Sequence, residues 1–174
     1  MKYAIVRHGE FVGTLYNELN DNIINFHTNE GNIIIPVESR EQLESILEAP
    51  TNLYDGVMEV MKHDKKNEIA NTRYNAEIKG VQYGNMFIKT DRESRLAFIE
   101  LYNRAKEDVN YSCSFKAING WFNITAEDII VINDLIRQYV QDCFDVENYL
   151  MQQVEQATTI EELENIDVEN AFSN

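Results

Sequence analysis

Towards its C-terminal end the chain carries a run of apolar residues at alternating steps of three and four: Ile129, Ile132, Ile136, Tyr139, Cys143, Val146 and Leu150. This spacing places all seven on one stripe of a helix running from about Ala126 to Gln156. Leu135, Val140 and Phe144 widen the stripe beyond a narrow coiled-coil seam. So long a helix with so broad an apolar face must pack against something of similar extent, either the rest of the chain or a partner helix. The stripe is therefore expected to be the core around which the preceding elements assemble.

Those elements read as short strands joined by tight turns. EIKGVQY and MFIKT are β-rich runs on either side of Gly84-Asn85, and YSCSFKAI meets WFNIT across Asn119-Gly120. Both dipeptides suit the left-handed backbone of a two-residue antiparallel turn. Between the hairpins, Thr90-x-x-Glu93 has the form of a capping box, and Leu96, Ile99 and Tyr102 share a helical face behind it. Thr125 is placed to N-cap the long helix, with Asp128 in its first turn. Thr159-x-x-Glu162 caps a short final helix with Leu163 and Ile166 facing inward.

The N-terminal part is different in character. YAIVRHGEFVGTLY places two β-rich runs around His8-Gly9-Glu10, the pattern of a hairpin. IINFHTNEGNIIIPV repeats it around Asn29-Glu30-Gly31-Asn32, predicting a second hairpin that Pro36 stops. Ser39 with Gln42 opens a helix through about Glu48. Ala49-Pro50-Thr51-Asn52 is the clearest break in the chain. Beyond it DGVMEVMKHDKKNEIANTRYNAEI is expected to be helical in part, with Asn71, Thr72 and Asn75 arguing that it ends before the next strand. The expected architecture is α+β: short antiparallel β-hairpins packed on a long C-terminal helix in residues 51–174, and a small β-rich unit with one helix in residues 1–50.

Charge limits the partners. Fifteen Lys and Arg oppose thirty Asp and Glu in 174 residues, a formal charge of −15, which repels nucleic acid and anionic membrane. The carboxylates are scattered through predicted helices, so solvation explains most of them. Cys113 and Cys143 lack metal-ligand or redox spacing and read as buried free thiols in a reducing compartment. The N-terminus has no apolar signal segment, and no stretch approaches the roughly 20 apolar residues of a membrane span.

Arg7-His8-Gly9-Glu10, after a strand, matches the nucleophile motif of the histidine phosphatases, in which the histidine attacks phosphorus and the arginine holds the phosphate oxygens. That chemistry also needs a second histidine, a second arginine and an acid at the edge of a parallel sheet. His27 lies beside a turn, His63 lies in a charged segment, and no histidine follows Asn110. A βαβ rhythm is missing as well. Glu127-Asp128 and Glu161-Glu162 are explained as first-turn charges. No catalytic, cofactor-binding or metal-binding residue is therefore assigned. Trp121, Phe122, Tyr83, Phe87 and Phe115 are expected to pack across strands beneath the long helix. The first four become interface candidates wherever they face solvent.

From Gly80-Val81, Tyr83 and Gly84-Asn85, through Thr90-Asp91 and Ser94, to Asn119-Gly120-Trp121, Thr125 and Thr159 to Leu163, the chain resembles a C-terminal domain of unknown function found in phage tail-associated and tail-fibre-region proteins. The resemblance covers about residues 60 to 168. It implies a phage or prophage origin and a non-enzymatic structural or assembly role near the tail, without a cofactor. The implied partners are tail or assembly proteins or a second copy of the chain, with no direct nucleic-acid or membrane contact. The implied setting is the host bacterial cytoplasm, or the virion. An acidic anti-defence protein that blocks a basic host factor is the alternative, and a histidine-phosphatase-like phosphohydrolase the remote one.

Overall fold

The computed structural model describes residues 2–7, 10–16, 18–37 and 50–173. The expected His8-Gly9 turn and the helix opened by Ser39 and Gln42 lie outside them. The elements are β1 (Lys2–Arg7), β2 (Glu10–Tyr16), α1 (Asp21–Asn29), β3 (Ile33–Val37), α2 (Pro50–Glu77), β4 (Val81–Tyr83), β5 (Met86–Ile88), α3 (Arg92–Glu107), β6 (Ser112–Ala117), β7 (Gly120–Thr125), α4 (Ala126–Gln156), α5 (Ile160–Glu164) and α6 (Val168–Ala171). The described strands form three antiparallel sheets, ordered β2-β1-β3, β4-β5 and β6-β7. The fold class is α+β, as expected.

The chain divides into two compact units, one of residues 1–68 with 151–167 and the other of 69–150 with 168–174. In the first unit β1 is the central strand, and Ala4, Ile5 and Val6 are wholly buried. Two expectations are corrected here. Ile23 to Phe26 belong to helix α1 rather than to a strand, because the Asn20 side chain accepts the Ile23 N–H and caps the helix. With that run helical there is no second hairpin, and β3 pairs with β1 instead, Ile35 opposite Ala4. Nor does Pro36 stop β3, which continues to Val37. An edge strand has one side without ladder bonds, so a missing N–H is tolerated there. Elsewhere in this unit the α4 residue Glu155 joins α2 through Lys66 at 2.5 Å and Lys62 at 3.1 Å.

Helix α2 begins with Pro50 in the first helical position, where its missing N–H costs nothing. It runs unbroken through Asn71, Thr72 and Asn75 and ends at Glu77, ahead of β4. Tertiary hydrogen bonds define that end: the Thr90 hydroxyl donates to the Glu77 carbonyl at 2.5 Å and the Tyr139 hydroxyl to the Ala76 carbonyl at 2.6 Å. These satisfy carbonyls that a helix end leaves without partners.

The second unit has the expected core. Val81, Met86, Ile88, Phe98, Ala117 and Ile124 pack with Ile129, Ile132 and Ile136 of α4. The α4 bounds and the buried stripe agree with the sequence reading, with Ile129 and Ile132 fully buried and Cys143 and Leu150 nearly so. Thr125 and Asp128 cap this helix reciprocally: the Thr125 N–H reaches Asp128 Oδ2 at 2.9 Å, and the Asp128 N–H reaches Thr125 Oγ1 at 3.3 Å. In the first unit, helix α5 has the full Thr159–Glu162 capping box, with Leu163 and Ile166 buried, although α6 follows it in sequence.

Helix α3 differs from expectation at its start and on its face. Asp91, not Thr90, is the N-cap, accepting the Ser94 N–H at 3.0 Å. Thr90 is instead buried against the end of α2, as above. Phe98 and Ala105 are buried and Tyr102 of the expected face packs against the core, while Leu96 and Ile99 are exposed. The apolar period alone did not say which of two adjacent stripes meets the core.

Candidate protein-contact surface

The β4-β5 turn depends on glycine. Gly84 has φ of 54°, as a tight two-residue turn requires. Just before β4, Gly80 has φ of 105°, and a Cβ there would lie 2.6 Å from the Ile88 carbonyl oxygen. The second hairpin differs by one residue from the sequence reading: Ala117 pairs with Gly120, so the turn is Ile118-Asn119 and Gly120 already belongs to β7.

That shift gives Asn119 a task. Its Oδ1 accepts the Phe87 N–H at 3.0 Å and its Nδ2 donates to the Asn85 carbonyl at 2.6 Å, while the Ile118 N–H bonds the Phe87 carbonyl at 2.9 Å. The tip of one hairpin is thereby bonded to the other, although no ladder joins the two sheets.

Strand alternation then sorts the aromatic residues. In β7, Phe122 and Ile124 turn to the core and Trp121 to solvent, where it is 69% exposed. In β5, Met86 and Ile88 are buried and Phe87 is 38% exposed. Trp121 and Phe87 therefore leave the core expected for them, whereas Tyr83, Phe115 and Phe122 pack against it. Ile118, at the turn between them in sequence, is half exposed. Lys116, opposite Trp121 in register, places its Nζ 5.8 Å from the indole centroid. A cavity of about 510 Å³ adjoins this surface, lined in part by Lys89, Lys116, Phe98, Phe115 and Ile118. In a chain of charge −15, a lysine over an exposed Trp with a second lysine in the adjoining cavity forms a surface unlike the average of the chain.

Residues 60–170, which include all of this surface, match the family described as Domain of unknown function (DUF4376). The chain belongs to that family. The DUF4376 region covers more than half of the chain and begins within α2, so the β2-β1-β3 sheet lies outside it. No curated protein matches the chain. No solved structure does either.

Other polar groups in the DUF4376 region are engaged structurally. The Tyr83 hydroxyl donates to Asp128 Oδ1 at 2.9 Å. Hydrogen bonds from Thr125, with that from Tyr83, hold the Asp128 carboxyl below its usual range, and the bond to Asp128 with partial burial pushes the Tyr83 phenol up. Glu77, 5% exposed, accepts from Arg73 and, at 2.7 Å, from Arg95. Arg73 reaches Glu147 as well, at 3.2 Å, and lies 4.7 Å over the Phe144 ring. The Arg73-x-x-x-Glu77 spacing was visible in sequence, but its burial and the third partner were not. Both cysteines are free thiols: Cys143 is buried, which pushes its thiol up, and Cys113 only half-buried. Among the described residues no group of three His, Cys, Asp or Glu could hold a metal ion, and no helix is long and apolar enough to cross a membrane.

Outside the family match, Arg7 donates through Nε to Asn32 Oδ1 at 2.7 Å and pairs with Glu30 at 3.4 Å. Since a guanidinium only donates, Asn32 must present its amide N–H₂ to His27 Nδ1, 3.0 Å away. Nδ1 therefore accepts, and His27 Nε2 faces the Tyr16 hydroxyl at 3.1 Å. The guanidinium expected to hold phosphate in a histidine phosphatase is thus bonded to the α1–β3 connection. His27 is 6% exposed, with both ring nitrogens engaged. His63 is exposed on α2.

Proposed function

We propose that this chain works through protein contacts, as a non-enzymatic structural or assembly component of a phage or prophage tail. The observation that carries the contact reading is that Trp121, Phe87 and Ile118 are all exposed on two hairpins that Asn119 bonds to each other. A large aromatic on a rigid strand, flanked by a cation, has the composition of an interface centre and little ordering entropy to lose on binding. The tail setting is supported by the ordered features that resemble the tail-associated domain. Partners are then tail or assembly proteins, or another copy of the chain. The lysines at the Trp121 surface favour a neutral or acidic contact, which counts against the reading in which acidity blocks a basic host factor.

The test uses the phage or prophage that encodes the chain. Wild-type protein is expected to sediment with tails or tail intermediates and to be detected there by mass spectrometry. Trp121→Ala is expected to lower that association at least tenfold while leaving the melting temperature within about 1 °C, because an exposed residue contributes little to stability. The proposal fails if the wild-type chain sediments alone and deleting its gene leaves tail assembly and infectious yield unchanged.

A further inference from the structure

A second surface of the same unit has the form of a receptor for a helix. Phe98 and Ile99 of α3 face Ile136, Val140 and Phe144 of α4 across a cavity of about 350 Å³. Ile99 is 48% and Phe144 42% exposed, so the walls are apolar and open. Along α4 the groove residues Asn133, Arg137, Val140 and Phe144 recur at i, i+4, i+7 and i+11, beside the buried stripe. Eleven residues of helix span about 16 Å, or three turns. A trough of that length beside a second helix suits the apolar face of an amphipathic helix, read as anchors at i, i+3 or i+4, and i+7.

The polar groups define what that helix carries. Arg137 is exposed, lines the groove and has no ion-pair or hydrogen-bond partner among the described residues, in a chain with thirty carboxylates. Arg95, which also lines the groove, and Arg73, which stands over Phe144, are both paired with Glu77. Asn133 is 6% exposed, yet its one hydrogen bond among the described residues is a long 3.5 Å contact from Nδ2 to Asp134. Its Oδ1 accepts no hydrogen bond among the described residues, which is uncommon for so buried a group.

We propose that this groove docks a three-turn amphipathic helix of a foreign partner protein, one with a carboxylate at the edge of its apolar face to meet Arg137. Local complementarity sets the sign of the contact, because the distant charges of the chain are screened beyond about 8–10 Å. A second copy is the poorer occupant, because the broad apolar stripe of its own α4 is already buried. The inference does not depend on the tail assignment.

The experiment places the photoreactive residue benzoylphenylalanine at Val140 in the full chain, in the cells that normally make it, and maps the cross-linked segment by mass spectrometry. The same residue at Asn103, exposed on α3 and off the groove, is the control. The expected product is one segment of a foreign protein with apolar residues at helical spacing and an adjacent Asp or Glu. Arg137→Glu should lower the yield at least tenfold with an unchanged circular-dichroism spectrum, Arg137→Gln should lower it less, and exchanging the mapped acid for Arg should restore it in the Arg137→Glu chain. A yield equal to the control, a product joining two copies of the chain, a basic or extended segment, or indifference to Arg137→Glu would each overturn the proposal.

Discussion

Removing the Glu77 side chain tests how the second unit holds its buried charges. The carboxylate is 5% exposed and serves Arg73 from its own helix and Arg95 from α3. Glu77→Ala leaves two guanidinium groups facing a site without their anion. Breaking a fully buried pair in this way costs about 3–5 kcal/mol. Here the Arg73 side chain is 18% and the Arg95 side chain 29% exposed, and Arg73 keeps Glu147 at 3.2 Å. Water and the remaining carboxylate recover part of the loss, so the expected cost is about 2–3 kcal/mol. For a chain of this size that lowers the melting temperature by about 5–10 °C. Urea unfolding followed by circular dichroism measures it. Glu77→Gln, which keeps the shape and one acceptor oxygen, should cost about half as much. Adding Arg95→Ala to Glu77→Ala should cost less than the sum of the two single changes, because it removes one of the orphaned cations. A Glu77→Ala loss below about 0.5 kcal/mol, the range of ordinary surface substitutions, would refute the reasoning.

Two further outcomes are expected. Gly80→Ala places a Cβ 2.6 Å from the Ile88 oxygen at φ of 105°, and should cost about 3 kcal/mol by urea unfolding. At Gly84, φ of 54° with nothing within 4 Å leaves only the backbone term, about 1 kcal/mol; equal costs at the two glycines would contradict the close approach. The Asp128 carboxyl is held low in the folded chain, so its contribution is present above the unfolded value near pH 4 and lost as pH falls through the lower folded value. The Tyr83 phenol is held high, so its contribution is present below about pH 10 and lost as pH rises through the higher folded value. The stability difference between wild type and Asp128→Asn should therefore shrink at both ends of a melting-temperature series against pH, and a constant difference would exclude the Tyr83–Asp128–Thr125 arrangement.

Much of residues 81–164 was legible because the signals there are local. The period of Ile129 to Leu150 set the bounds of α4, Thr125 and Thr159 marked two helix starts, and Gly84-Asn85 marked a turn. Even the outward Trp121 was implicit in alternation, since placing Phe122 and Ile124 inside puts Trp121 outside. Capping and side-chain period depend on residues within about one turn of each other, which sequence displays directly.

What tertiary structure decided was which of several local solutions has a neighbour. The Asn20 cap and the pairing of β3 with β1 turned a β-rich run into α1. Thr90, suited to begin α3, was drawn to the end of α2 and left Asp91 as the cap. On α3 the stripe of Phe98 and Ala105 met the core while Leu96 and Ile99 did not, and that choice opened the groove beside Arg137. Sequence by itself determined the two hairpins of the second unit and the apolar face of α4. Which faces are covered, and which carboxylate becomes a buried hub, depends on partners many residues away, because burial and long-range hydrogen bonding are properties of the packed chain.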